Sequence, residues 1–144
     1  MKITLESARL PEPEVIIRGD IASPEVTALL QLLQRKASDK VILYREEEQF
    51  IIPAGDIVFL ETAGNKVLAY TQTETYESKL KLYEMKELLT CHPFAQISKS
   101  TIVNIDHVKS IQAEFSGNYR IRLRTRKESL TVSRKYFKEF KDRI

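Results

Sequence analysis

From Val41 onward, β-branched and aromatic residues recur in short runs broken by turn residues, and helical spacing is confined to a few stretches. Val41–Arg45 and Gln49–Ile52 flank the acidic turn Glu46-Glu47-Glu48 and predict a hairpin. Ile57–Glu61 and Val67–Thr73 lie on either side of Gly64-Asn65, a dipeptide tolerant of positive φ, and predict a second. Thr75–Lys79 reads as a further short strand. Ile97, Ile102, Val103, Ile105, Val108 and Ile111 are stiff at χ1 and suit a half-buried strand. Ser98-Lys99-Ser100 interrupts that run at a strand end or tight connection. Val108–Phe115 and Tyr119–Thr125 around Ser116-Gly117-Asn118 give a third hairpin signal, and Leu130–Val132 a last short strand. The pattern predicts a mainly β domain with a few short helices.

Leu80, Leu82, Tyr83, Met85, Lys86, Leu88 and Leu89 follow helical spacing that ends before Pro93. Arg134 to Arg143 reads as a closing helix with Tyr136, Phe137 and Phe140 on its apolar side, Ser133 as N-cap and Arg134 opening it. Near the start, Ser23-Pro24-Glu25 combines an N-cap, a proline at the first helical position and an early carboxylate. The helix it opens should run from Pro24 to Lys36, with Val26, Leu29, Leu30, Leu32 and Leu33 as its apolar stripe. Arg35 and Lys36 would sit near its C-terminus, and Ala37-Ser38-Asp39-Lys40 would mark the boundary. Ile3–Ala8 and Glu14–Arg18 are short extended pieces around Pro11-Glu12-Pro13. Residues 1–40 thus read as a small β-β-α element, too small to bury a core unaided. It would pack on the remainder, residues 41–144, or on a partner.

Composition changes this picture little. With 42% hydrophobic and 30% charged residues, the 144-residue chain has the makeup of a globular protein, not a disordered one. Apolar runs fall short of the roughly 18 residues that span a bilayer, and the first residues lack an apolar signal core, so a cytoplasmic protein is expected. A single cysteine, Cys91, excludes an intrachain disulfide and a multi-cysteine metal site.

Charge changes it more. Residues 96–144 carry twelve Lys or Arg against five acids, a net +7, whereas residues 1–95 carry a net −4. A basic C-terminal half suits a polyanion, although ordinary fluctuation can also produce such a split. Arg120, Arg122, Arg124 and Arg126 alternate, which would place them on one strand face, either paired with glutamates or as a phosphate track.

Asn65 and Lys66 lie at a predicted hairpin tip: either a turn chosen for its conformation, or an amide able to pair with adenine beside a phosphate-binding ammonium. Lys99 between Ser98 and Ser100 can donate to guanine or to phosphate, and the two hydroxyls to phosphate. Arg134 offers a planar fork suited to guanine, with Lys135 as a phosphate contact. Asn104 reads as structural, satisfying backbone groups at a turn. Cys91-His92 does not make a nucleophile pair, His92 and His107 do not form a metal cluster, and four glycines carry no nucleotide-binding motif. An enzyme, a cofactor, a bound metal and a small-molecule substrate are therefore not expected.

Four pieces together resemble the LytTR-type DNA-binding domain of bacterial transcription regulators: Asp56–Glu61, Ala63-Gly64-Asn65-Lys66, Phe94–Asn104 and Val132-Ser133-Arg134-Lys135-Tyr136. Their order and spacing match the family across roughly Val41 to Ile144. The resemblance implies an elongated antiparallel β fold whose loops read the major groove of double-stranded DNA. It places DNA-contacting positions at Asn65, Lys99 and Arg134, and departs from the family's usual His-Arg-Ser with Ser98-Lys99-Ser100. It further implies a homodimer on an imperfect repeat. Residues 1–40 are too short for a receiver domain, and stand-alone regulators of this kind resemble those restrained by a membrane-protein partner. The other class open to such a chain is a protein-interaction module whose hairpins bind an acidic partner instead of DNA.

Overall fold

A computed structural model describes residues 1–34 and 39–144, in two compact units, Met1–Arg35 and Lys36–Ile144. Among the described residues ten strands and three α-helices form: α1 (Pro24–Gln34), β1 (Lys40–Arg45), β2 (Glu48–Pro53), β3 (Phe59–Ala63), β4 (Lys66–Tyr70), β5 (Thr75–Ser78), α2 (Leu82–Leu88), β6 (Phe94–Ser98), β7 (Thr101–Asn104), β8 (Val108–Ala113), β9 (Tyr119–Leu123), β10 (Ser129–Val132) and α3 (Phe137–Asp142). All pairings are antiparallel. This is the mainly β architecture with short helices that the sequence predicts.

In the first unit α1 starts as expected. The Ser23 hydroxyl accepts from the Val26 N–H at 3.3 Å, and Asp20 accepts from the Ala22 N–H just ahead of it. The two strands expected before it do not form, and residues 1–22 contain no strand. Ile3, Leu5, Val15 and Ile16 stay largely exposed. A strand needs a neighbour to take its backbone groups, and Pro11 and Pro13 remove two donors from this segment. Only the helix of the predicted β-β-α element is realised. The predicted helix end and boundary at Arg35–Ser38 lie outside the described residues.

The second unit is built on a seven-stranded sheet in the order β2-β1-β5-β4-β3-β7-β6, and a three-stranded sheet in the order β10-β9-β8. Alternation along the strands sends side chains to opposite faces. Leu43, Leu60, Val67, Ala69 and Ile102 line one face and pack with Met85 and Leu89 around α2. Phe59, Ala95, Ile97 and Val103 line the other and meet Ile121, Leu123, Val132 and Phe140 from the smaller sheet and α3. The central strands are thus buried on both faces.

Polar ties join segments of this unit that lie far apart in sequence. Asn104 is buried; its Nδ2 donates to the Ile57 carbonyl at 3.0 Å and its Oδ1 accepts from the Asp106 N–H at 3.1 Å, the structural role read from the sequence. Arg143 donates to the carbonyls of Thr90, His92 and Phe94, pinning the end of α3 to the segment before β6. Arg126 departs from the predicted arginine ladder. β9 ends at Leu123, so the alternation stops there, and Arg126 turns inward to donate to the Thr71 carbonyl at 2.6 Å. Its guanidinium lies 5.2 Å from the Tyr70 ring centre and grips Glu128 with two bonds, which holds that carboxyl below its ordinary range.

Beside it, the Tyr70 hydroxyl donates to Glu61 at 2.6 Å. Burial first, then this bond, pushes the phenol up from 10.0 to about 12. A raised phenol pKa means the fold favours the neutral form. Its contribution to stability is complete below the unfolded value of 10.0 and is lost as pH rises through about 12. The unfolding midpoint is therefore expected to fall across that alkaline window, and less steeply in Tyr70→Phe. Equal slopes in the two proteins would show that Tyr70 carries none of the effect.

Candidate nucleic-acid interface

Three turns far apart in sequence converge on one end of the large sheet. The first, Gly64-Asn65, closes β3 onto β4 with Ala63 opposite Lys66. Gly64 has φ of 64°, a conformation that favours glycine and makes the two-residue connection possible. Asn65 and Lys66 are exposed there. Lys66 Nζ lies 3.0 Å from Glu77 on β5, so its charge is partly answered within the sheet.

The second, Lys99-Ser100, closes β6 onto β7. The Ser98 hydroxyl accepts from the Ser100 N–H at 3.2 Å and stiffens the turn, leaving Lys99 exposed at its tip. This turn is joined to the first by the Thr62 N–H, which donates to the Ser100 carbonyl at 2.8 Å. Lys99 also borders a shallow cleft of about 230 Å³ with Leu82, Tyr83 and Gln96.

The third follows β10. The Ser133 N–H donates to the Ile97 carbonyl at 2.8 Å, which ties the turn carrying Arg134 to the end of β6. The expected cap is not there: α3 begins at Phe137, and Arg134, Lys135 and Tyr136 form a turn ahead of it. Arg134 is fixed instead by Asn118, whose Oδ1 accepts from the Arg134 N–H at 3.1 Å. Gly117 leaves room for the guanidinium: a Cβ there would come within 3.3 Å of Arg134 Cδ, and its φ of 89° also favours glycine. Arg134 and Lys135 are both exposed.

Asn118 is the residue that reading the sequence missed. Its turn propensity was visible, but a clamp on a backbone group sixteen positions away leaves no local mark. The arginine ladder is broken up: Arg120 pairs with Glu114 at 3.3 Å and Arg126 with Glu128, whereas Arg122 and Arg124 make no ion pair among the described residues.

One edge thus presents an amide, three exposed ammonium groups and a guanidinium on hydrogen-bonded turns, donors suited to base edges and phosphates. The family model of the LytTr DNA-binding domain matches residues 47–144. The chain belongs to this family. Its LytTR domain is a DNA-binding domain, and it shares its fold with the LytTr DNA-binding domain of a protein from Bacillus cereus named as a methyl-accepting/DNA response regulator. That domain is 24% identical, has a TM-score of 0.68, and matches over 74% of this chain and 96% of its own.

Two relatives from Staphylococcus aureus, strains NCTC 8325 / PS 47 and MRSA252, are named as uncharacterized HTH-type transcriptional regulators. They are 29% and 28% identical over 130 residues, covering 87% of this chain and 87% of their own length. That span exceeds the LytTR domain and reaches into the first unit. Strands separate the helices in sequence, so no helix-turn-helix forms among the described residues. No helix among them is long and apolar enough to cross a membrane.

Proposed function

We propose that this LytTR protein is a sequence-specific transcription regulator whose three-turn edge enters the major groove of double-stranded DNA. The convergence of Asn65, Lys99 and Arg134 on one edge carries the reading. In it, Asn65 pairs with adenine and Arg134 with guanine. Lys99 adds a point charge at the same edge, anchoring phosphate or donating to a base. Lys66, Ser98, Ser100 and Lys135 contact phosphates, Lys66 more weakly because Glu77 competes for it. The relatives' names support the regulatory role. Two copies would occupy a repeat-containing site, in the cytoplasm, with no catalytic step and a membrane-protein partner as the restraint.

Fluorescence anisotropy on duplex from its own promoter and on scrambled duplex, over a salt series, tests this. Promoter binding is expected to be tighter, and its affinity to fall steeply with salt. Lys135→Gln is expected to lower the logarithmic salt slope by about one while leaving the promoter-to-scrambled ratio intact. Equal affinity for both duplexes at every salt concentration would reject sequence-specific reading.

A further inference from the structure

A second basic feature sits elsewhere on the three-stranded sheet. A cleft of about 330 Å³ is lined by Lys109, Arg122, Arg126, Lys127, Glu128 and Ser129. Three local causes gather these side chains. The β8–β9 register jumps from Val108 opposite Leu123 to Ser110 opposite Arg122, and the resulting bulge at Lys109 brings that lysine to the cleft beside Arg122. Ser129 on β10 faces Arg122 across the other ladder. The bidentate Arg126–Glu128 pair fixes the connection that carries Lys127.

The charges do not balance internally. Glu128 is the only carboxylate in the lining, and Arg126 occupies both its oxygens. Lys109, Arg122 and Lys127 are exposed and make no ion pair among the described residues. Like charges gathered in one concavity repel one another and concentrate anions there. Solvated surface cations need no such convergence from three strands and a loop. A guanidinium fork, two ammonium groups and a serine hydroxyl match the tetrahedral oxygens of phosphate.

We propose that this cleft is a phosphate-binding site, with Arg122 as its fork, Lys109 and Lys127 as flanking charges and Ser129 as a further donor. It lies three positions along β9 from Tyr119, about 10 Å from the Asn118 end where Arg134 is held. It is therefore separate from the reading edge. The phosphate can belong to the backbone of the bound duplex beyond the bases read, a source that rests on the proposed function, or to a free phosphorylated small molecule, which does not.

Titration of the full chain with inorganic triphosphate, followed by amide chemical shifts, is the test. Saturable shifts are expected to centre on residues 108–110 and 122–129. Binding should weaken about tenfold or more in Arg122→Gln/Lys127→Gln, a double variant with an unchanged unfolding midpoint. Repeating the titration with promoter duplex present separates the sources: blocked triphosphate binding assigns the cleft to the DNA backbone, and undiminished binding assigns it to a free phosphate. The first titration decides the proposal even if specific DNA recognition fails. Absence of saturable shifts at the cleft, or equal binding by the double variant, overturns it.

Discussion

Arg134→Ala is expected to weaken binding to the specific duplex by about 1–3 kcal/mol while barely changing binding to scrambled DNA. The size of the effect follows from how the side chain is held. Asn118 fixes the Arg134 backbone at 3.1 Å and the Ser133 N–H anchors the same turn to β6. A guanidinium projected from a fixed backbone gives up less freedom on binding than one on a loose loop. Arg134→Lys separates the two parts of the role. It keeps the charge and loses the fork, so it should retain salt-dependent affinity and lose discrimination. If Arg134→Ala leaves the specific-to-scrambled ratio unchanged, Arg134 does not read bases. Asn118→Ala should produce a weaker version of the same loss with the arginine still present.

The second large effect concerns stability. Phe140 is fully buried and packs α3 into the cluster formed with Ala95, Ile97, Ile121 and Val132. α3 is six residues long and cannot persist without such packing. Phe140→Ala removes the ring and leaves a cavity, at an expected cost of about 3–5 kcal/mol. Denaturant unfolding followed by circular dichroism should show the midpoint falling with little change in slope. A loss under about 1 kcal/mol would mean that the site collapses around the smaller side chain. Phe137, whose ring stacks on Tyr119 at 3.6 Å between centroids, is only partly buried and should cost less.

The strands were legible wherever a local rule decided them. Gly64-Asn65 marked its hairpin because positive φ is needed at that point. The β1–β2 hairpin followed from two short β-type runs flanking the acidic turn, in which Glu46 takes a φ of 58°. Ser23 capped α1 because the cap, proline and acid are adjacent in sequence. The errors share an origin in distance along the chain. Ile3–Ala8 and Glu14–Arg18 have extended-chain composition but form no strand, and composition does not report whether a partner is present. Ser133 looked like a cap, yet the turn at Arg134–Tyr136 delays the helix, and it is Asn118 that accepts from the Arg134 N–H. The alternation of four arginines was real in sequence, but the strand beneath it ended after two. Of the candidate site, the residue types were readable and their convergence was not. It depends on the Thr62–Ser100 and Ser133–Ile97 bonds, which join positions about forty apart, and the family resemblance supplied the only advance notice of it.

Because the reading edge is assembled from residues 64–66, 98–100 and 134–135, no short segment of the unfolded chain holds more than one part of it. On the proposed reading the duplex would recognise the native state alone, and by linkage it would act as a folding ligand. At a hundred times its dissociation constant, specific DNA would add about 2.7 kcal/mol to the stability of the domain. Occupancy of the site would thus protect the protein from unfolding and from proteolysis of the unfolded chain. Copies without a target would be the first to be cleared.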